Sequence, residues 1–185
     1  MAKYRRYRKY SRRSHAKWSP NIQEINETSI IANPLEGFYQ TFVLAFNPTQ
    51  TNTSVSQVFT VKNIDVNFYI DSDQPAGATD IEDVCAYIMF VPQGMTVTGT
   101  YNLDHPEYIL NYKYLGGPSA DSFNTSTSST ARIGQHYQPL RVRSRLSRKL
   151  QSGDNVILFI KGTNTGGGSA TFKFHGLIRW WTRAN

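Results

Sequence analysis

VFTVKNIDVNFYI, residues 58–70, alternates apolar and polar positions along most of its length. Val58, Ile64, Val66, Phe68 and Ile70 fall at even spacing, and period-two alternation sets such side chains on one side of a β-strand. The pattern returns in FYQTFVLAF (38–46), where Phe38, Phe42, Leu44 and Phe46 share a face. It returns again in TFKFHGLIRWW (171–181), with Phe172, Phe174, Ile178 and Trp180 in register. Val84–Val91 and Val156–Ile160 are short unbroken apolar runs, the mark of central strands covered on both sides. Tyr108–Tyr114 and Leu140–Leu146 read as strands of more polar character. Turn-forming clusters separate them: NPTQTNTS, DSDQPAG, LGGPSADS, QSGDN and TNTGGGS. No segment sustains a helical period beyond about two turns. The chain is therefore expected to be all-β, a single eight-stranded jelly-roll sandwich, and 185 residues leave room for one such domain.

The first twenty residues are a different material. They hold eight Lys or Arg (Lys3, Arg5, Arg6, Arg8, Lys9, Arg12, Arg13 and Lys17), no Asp or Glu, and three interleaved tyrosines, Tyr4, Tyr7 and Tyr10. Twelve of the twenty basic groups are left to face all thirteen acidic ones in residues 21–185, a balance of −1. The formal net charge of +7 thus belongs to the leader. Such a segment repels itself and carries too little apolar surface to offset the entropy of ordering, so 1–20 is expected to be a disordered basic arm and 21–185 the folded domain. Fully extended, the arm reaches about 65–70 Å.

A polyanion supplies what the arm lacks. Each phosphate neutralised releases condensed counterions, which drives binding without regard to sequence. The tyrosines add rings that stack on unpaired bases, an option confined largely to single strands. The eight cations together with Tyr4, Tyr7 and Tyr10 are accordingly nucleic-acid-binding candidates. The same basic run fits nuclear targeting as a second use. Anchorage on an acidic membrane surface is disfavoured, because no lipidation motif or apolar helix accompanies the charge, and no stretch reaches the ~20 apolar residues of a membrane span. The leader is followed by no apolar core of a secretory signal.

A second basic feature lies in the body. LRVRSRLSRK (140–149) sets Arg141, Arg143 and Arg145 at alternate positions, with Val142 and Leu146 on the opposite face. In the last strand Lys173, His175 and Arg179 alternate with buried Phe and Ile. As seventh and last strands of a jelly roll these would lie in one sheet, and Arg141, Arg143, Arg145, Lys173 and Arg179 would form one phosphate-contacting wall. A solvated face balanced by acidic neighbours is the competing reading. Trp180 and Trp181, being adjacent, must point to opposite sides of their strand.

Catalysis finds no footing. His15, His105, His136 and His175 are scattered without metal-ligand spacing, there is no phosphate-binding glycine loop, and the neighbours Asp104 and His105 make no triad by adjacency. No catalytic residue, metal or cofactor is expected. The acidic stretch Asp71, Asp73, Asp80, Glu82 and Asp83 fails the calcium-loop spacing and reads as a solvated loop. Cys85, the single cysteine, is expected to be a small buried hydrophobe.

A basic arm (KYRRYRKYSRR) joined to a near-neutral β sandwich resembles the coat proteins of small circular single-stranded DNA viruses, in the circovirus and cyclovirus neighbourhood. RSRLSRKLQSGDNVILFIKG, leading through a Gly-rich loop into FKFHGLIRWWTRAN, carries the likeness at the other end. This sequence departs from those coats in being short and in carrying fewer arginines in its arm. The resemblance implies a homo-oligomeric icosahedral shell of about sixty copies, arms inward around a single-stranded DNA genome. It implies residence in the virion and, during infection, the host nucleus, with nuclear import machinery and a cell-surface receptor as host partners and no membrane insertion. The Ser-, Thr- and Gly-rich stretch from Pro92 to Pro139 would then be mostly exterior loop suited to host contact. Two other classes fit less well. A ribosomal or other nucleic-acid-binding β-barrel protein with a basic tail would have a basic body, and a monomeric carbohydrate-binding jelly roll leaves the arm unexplained.

Overall fold

Alternating apolar residues build two sheets that face each other through their inward side chains. The computed structural model describes residues 18–33, 35–48, 58–72, 81–116, 131–133, 140–165 and 169–184. The strands are β1 (Ser19–Ala32), β2 (Gly37–Phe46), β3 (Phe59–Ser72), β4 (Ile81–Val91), β5 (Ile109–Gly116), β6 (Ala131–Ile133), β7 (Leu140–Ser144), β8 (Arg148–Leu150), β9 (Asn155–Asn164) and β10 (Ala170–Ala184). One sheet runs β1–β10–β3, with β6, β7 and β8 all pairing along the free side of β3; the other runs β2–β9–β4–β5. All pairings are antiparallel. Counting β6, β7 and β8 as one row gives eight rows paired first with last, second with seventh, third with sixth and fourth with fifth. That is the wrapping of a jelly roll, as the alternation predicted.

The core lies between the sheets. Phe174 of β10 stacks on Phe42 of β2 (centroids 4.6 Å apart) and on Phe68 of β3 (5.1 Å), stitching the two layers. Ile64, Val66, Ile88, Leu158, Ile160 and Ile178 fill the space around them and are essentially inaccessible. Burying each such side chain is worth about 1.5–3 kcal/mol. The unbroken apolar runs are the central strands β4 and β9, as expected, and Val156–Ile160 are buried on both sides. Gly162 of β9 leaves room for the ring of Phe38, whose Cζ would lie 2.7 Å from an added Cβ.

Four expectations are corrected. The face of β2 does not run through to Phe46: a bulge between Val43 and Ala45 turns Ala45 inward and leaves Phe46 48% exposed. The face of β3 likewise does not reach Val58. Asn63 takes φ 51°, the register against β10 shifts there, and the inward positions below it are Val61 and Phe59. Leu146 does not share the face of Val142, since β7 ends at Ser144 and Leu146 is 56% exposed. Cys85 is half-buried rather than buried, because it points outward from β4 between the inward-facing Val84 and Ala86.

The stretch from Pro92 to Glu107 lies on the outer side of the β2 sheet, and Tyr108 after it packs against both the inter-sheet core and the outer cluster. The short helix α1 (Tyr101–Asp104) and the 3-10 turn Pro106–Tyr108 bring Tyr101 over Met89, Val91, Ile157 and Phe159. The Tyr101 hydroxyl donates to the Phe90 carbonyl at 3.2 Å. The same Pro92–Pro139 stretch also contributes β5 and β6.

Candidate nucleic-acid interface

The outer face of the β1 sheet gathers cations from three strands. Register sets Arg179 of β10, Asp65 of β3 and Arg143 of β7 side by side in one row. The next row holds the exposed Glu24 of β1 with Leu177, Asn67 and Arg141. Arg141 and Arg143 are exposed while Val142 and Ser144 between them are buried, so the predicted alternation holds over β7. Lys173 stands two rows beyond, opposite Asp71. Arg145 lies past the end of β7, in the exposed segment before β8, and is not part of the strand's alternating face. The arm candidates from Lys3 to Lys17 lie outside the described residues.

Asp65 organises the row. It is 8% exposed and accepts from Arg141 Nε at 2.7 Å and from Arg141 Nη2, a bidentate pair. The Arg141 hydrogen bond is the main cause holding its carboxyl below the usual carboxylate range. Burial opposes it, and the charges of Arg141, Arg143 and Arg179 add to it. One carboxylate thus sits among three guanidinium groups, so the face keeps a positive excess at this row. From the neighbouring sheet, Asn111 of β5 donates its Nδ2 to the Arg143 carbonyl, tying the two sheet edges together.

Three cations of this face lie outside the sequence-based set. Below the Asn63 bulge the parity of β3 is reversed, so Lys62 points outward. Its ammonium lies 3.8 Å from the centre of the Trp18 ring, with the Arg183 guanidinium 4.9 Å from the same ring. Lys149 of β8 pairs with Thr60 and is exposed. Trp18 is the residue before β1, so the leader joins the body at a corner of the basic face. Trp180 packs against the core and the half-buried Trp181 takes the outer side, as adjacency required.

The outer face of the β2 sheet is of another kind. Tyr87, Met89, Ile157 and Phe159 line it, and Tyr101 closes over part of it. Burial pushes the hydroxyls of Tyr87 and Tyr101 up to about 12. Lys161 stands on the same face, its Nζ donating to Asn102 Oδ1 of α1 at 3.4 Å.

Among the described residues no group of His, Cys, Asp and Glu is placed to hold a metal. Asp104 accepts from Thr100 Oγ1 at 2.7 Å, and His105 Nδ1 lies 3.4 Å from Glu107 Oε1, so the adjacent pair is turned to separate partners. Asp83 accepts from the Tyr114 hydroxyl at 2.8 Å, while Asp73 and Asp80 lie outside the described residues. Among the described residues no helix is long and apolar enough to cross a membrane.

No family model matches the chain, and no curated protein matches it. Solved structures similar to it include Desmodium yellow mottle tymovirus, at 14% identity over 87% of each chain with a TM-score of 0.28. Infectious bursal disease virus, Gx strain, matches at 8% identity over 90% of this chain and 42% of that one, TM-score 0.31. The BFDV capsid protein in its 60-mer form matches at 6% identity over 88% of this chain and 94% of that one, TM-score 0.21. All three are virus structures; at such scores the likeness carries no argument, and the jelly-roll assignment stands on the strand order and register of this chain.

Proposed function

We propose that this chain is a viral coat protein that assembles with itself into a small icosahedral shell and packages single-stranded DNA through its basic arm and the basic face of the β1 sheet. The observation that carries the reading is the separation of charge. The leader holds eight cations, and it joins the body at Trp18, on the sheet face where Arg141, Arg143 and Arg179 stand. A polyanion on that side meets arm and wall together. The remaining 165 residues balance at −1, which lets bodies approach one another without strong mutual repulsion.

Self-association also has surface to work with. Along the β1 and β2 edges Ile22 (67%), Leu35 (75%) and Val43 (52%) are exposed. A cleft of about 610 Å3 opens beside them, lined by Asn21, Gln23, Val43, Phe46, Phe59 and Trp180 among others. Apolar side chains gathered along an edge favour burial against another protein surface. In this reading the arm serves nuclear entry as well, and the 92–139 stretch meets the host receptor.

Size-exclusion chromatography with electron microscopy, with and without added single-stranded DNA, tests the proposal. Closed particles of about 20 nm are expected. A persistent 21.0 kDa monomer with DNA present would refute the shell, and ribosome-associated material would favour the tailed β-barrel class.

A further inference from the structure

Among its cations, the outer face of the β1 sheet carries a pair of stacked aromatic rings that serves no core. Tyr69 of β3 and His175 of β10 are opposite each other in register, with centroids 4.8 Å apart and planes within 10°. Their inward neighbours Phe68 and Phe174 are sealed at 1% and 0%, whereas Tyr69 keeps 41% of its surface exposed despite the stack. His175 is half-buried, so the stack presents mainly the Tyr69 ring, and a nearly parallel pair with an exposed ring is an arrangement onto which a nucleobase adds.

Cations flank the pair at a suitable reach. Arg141 stands one row to one side and Lys173 one row to the other, each about 7 Å along the sheet. Arg141 spends Nε and one Nη2 proton on Asp65, which leaves three of its five N–H donors, and its side chain is 50% exposed. Asp65 is thus a positioning residue that aims Arg141 without silencing it.

We infer that Tyr69 and His175 form a base-stacking platform for single-stranded DNA, with Arg141 and Lys173 taking the phosphates on either side of the stacked nucleotide. The inference rests on the reading that this face meets nucleic acid. It adds a discrimination that charge alone cannot supply. In a duplex the bases present their π-faces to one another, so only an unpaired strand engages the rings.

The test compares two oligonucleotides of about twelve nucleotides on the full chain, a run of dT and an abasic strand with the same number of phosphates. The wild type is expected to bind dT more tightly than the abasic strand. The double variant Tyr69→Leu with His175→Leu should lower that ratio at least about fivefold and leave abasic affinity unchanged. Tyr69→Phe, which keeps the ring, should keep the ratio. An unchanged ratio in the double variant overturns the platform while the nucleic-acid reading survives, whereas a wild type that binds neither strand sinks both. Should the double variant fail to fold, photo-crosslinking of the wild type to 4-thiothymidine DNA decides. Adducts at Tyr69 or His175 support the platform, and adducts confined to other residues refute it.

Discussion

The two outer faces of the sandwich are made by the same strand alternation and have opposite chemistry. On the β1 sheet the outward positions include Arg141, Arg143 and Arg179, exposed around Asp65, and the half-buried Lys173 further along. On the β2 sheet they are Tyr87, Met89, Ile157 and Phe159, lidded by the 92–108 segment through Tyr101. The contrast separates two energetic tasks. One face keeps charge in water, where it is free to exchange ions for phosphates. The other removes apolar surface from water and adds to the stability of the fold. Removing cations from the first face should therefore move binding and barely touch stability, and truncating the apolar side chains of the second should do the reverse.

The largest effect is expected on removing residues 1–17 and keeping Trp18. The dependence of log K for single-stranded DNA on log salt should flatten by about 5 to 6, from eight cations at about 0.7 each. A salt titration showing an unchanged slope would show that the leader does not bind the strand. Tyr101→Ala attacks the other face. It should cost about 3 kcal/mol in chemical denaturation without altering DNA affinity, and a variant as stable as the wild type would mean that the 92–108 segment only rests on the sheet. Arg143→Gln with Arg179→Gln should lower the salt slope by about 1.4 and shift stability by no more than about 0.5 kcal/mol. A loss of stability with no change in slope would mark these arginines as structural partners of Asp65 alone.

The smallest effect should come from Asp65→Asn. With the arginine half exposed, losing the carboxylate should cost about 1 kcal/mol near neutral pH. The folded carboxyl titrates below its unfolded value of about 3.9, so its contribution is complete above that pH and fades as the pH falls through the lower folded value. Wild type and variant should therefore converge in stability below about pH 4. Parallel stability curves across that range would remove Asp65 from its role as organiser.

The jelly roll was legible because most strands bury one face and therefore alternate. β1 escaped the pattern: its inward positions include Asn21 and Gln23 beside the cleft, and of the side chains described only Ile25 is buried. An edge strand whose hydrogen bonds to β10 do most of the holding has little need of apolar periodicity. The candidate face was half legible for the same reason. Arg141, Arg143, Lys173 and Arg179 sit on uninterrupted alternation, which a reading of parity captures. Lys62 sits below the Asn63 bulge, where one extra residue swaps the faces and parity assigns it to the core. Arg145 failed in the opposite way, since the strand that would have oriented it stops at Ser144. The aromatic pair was hidden because Tyr69 and His175 are distant in sequence and become neighbours only through the register of β3 and β10.

The indole at position 18 has a practical corollary for any truncation. Cutting after residue 17 removes the eight cations and three tyrosines of the leader and spares the sheet, whereas cutting after residue 20 also removes the ring on which Lys62 and Arg183 rest and shortens β1 by its first two residues. A protein trimmed at the latter site mixes an electrostatic deletion with a frayed sheet corner, and its loss of grip on DNA would overstate what the leader does.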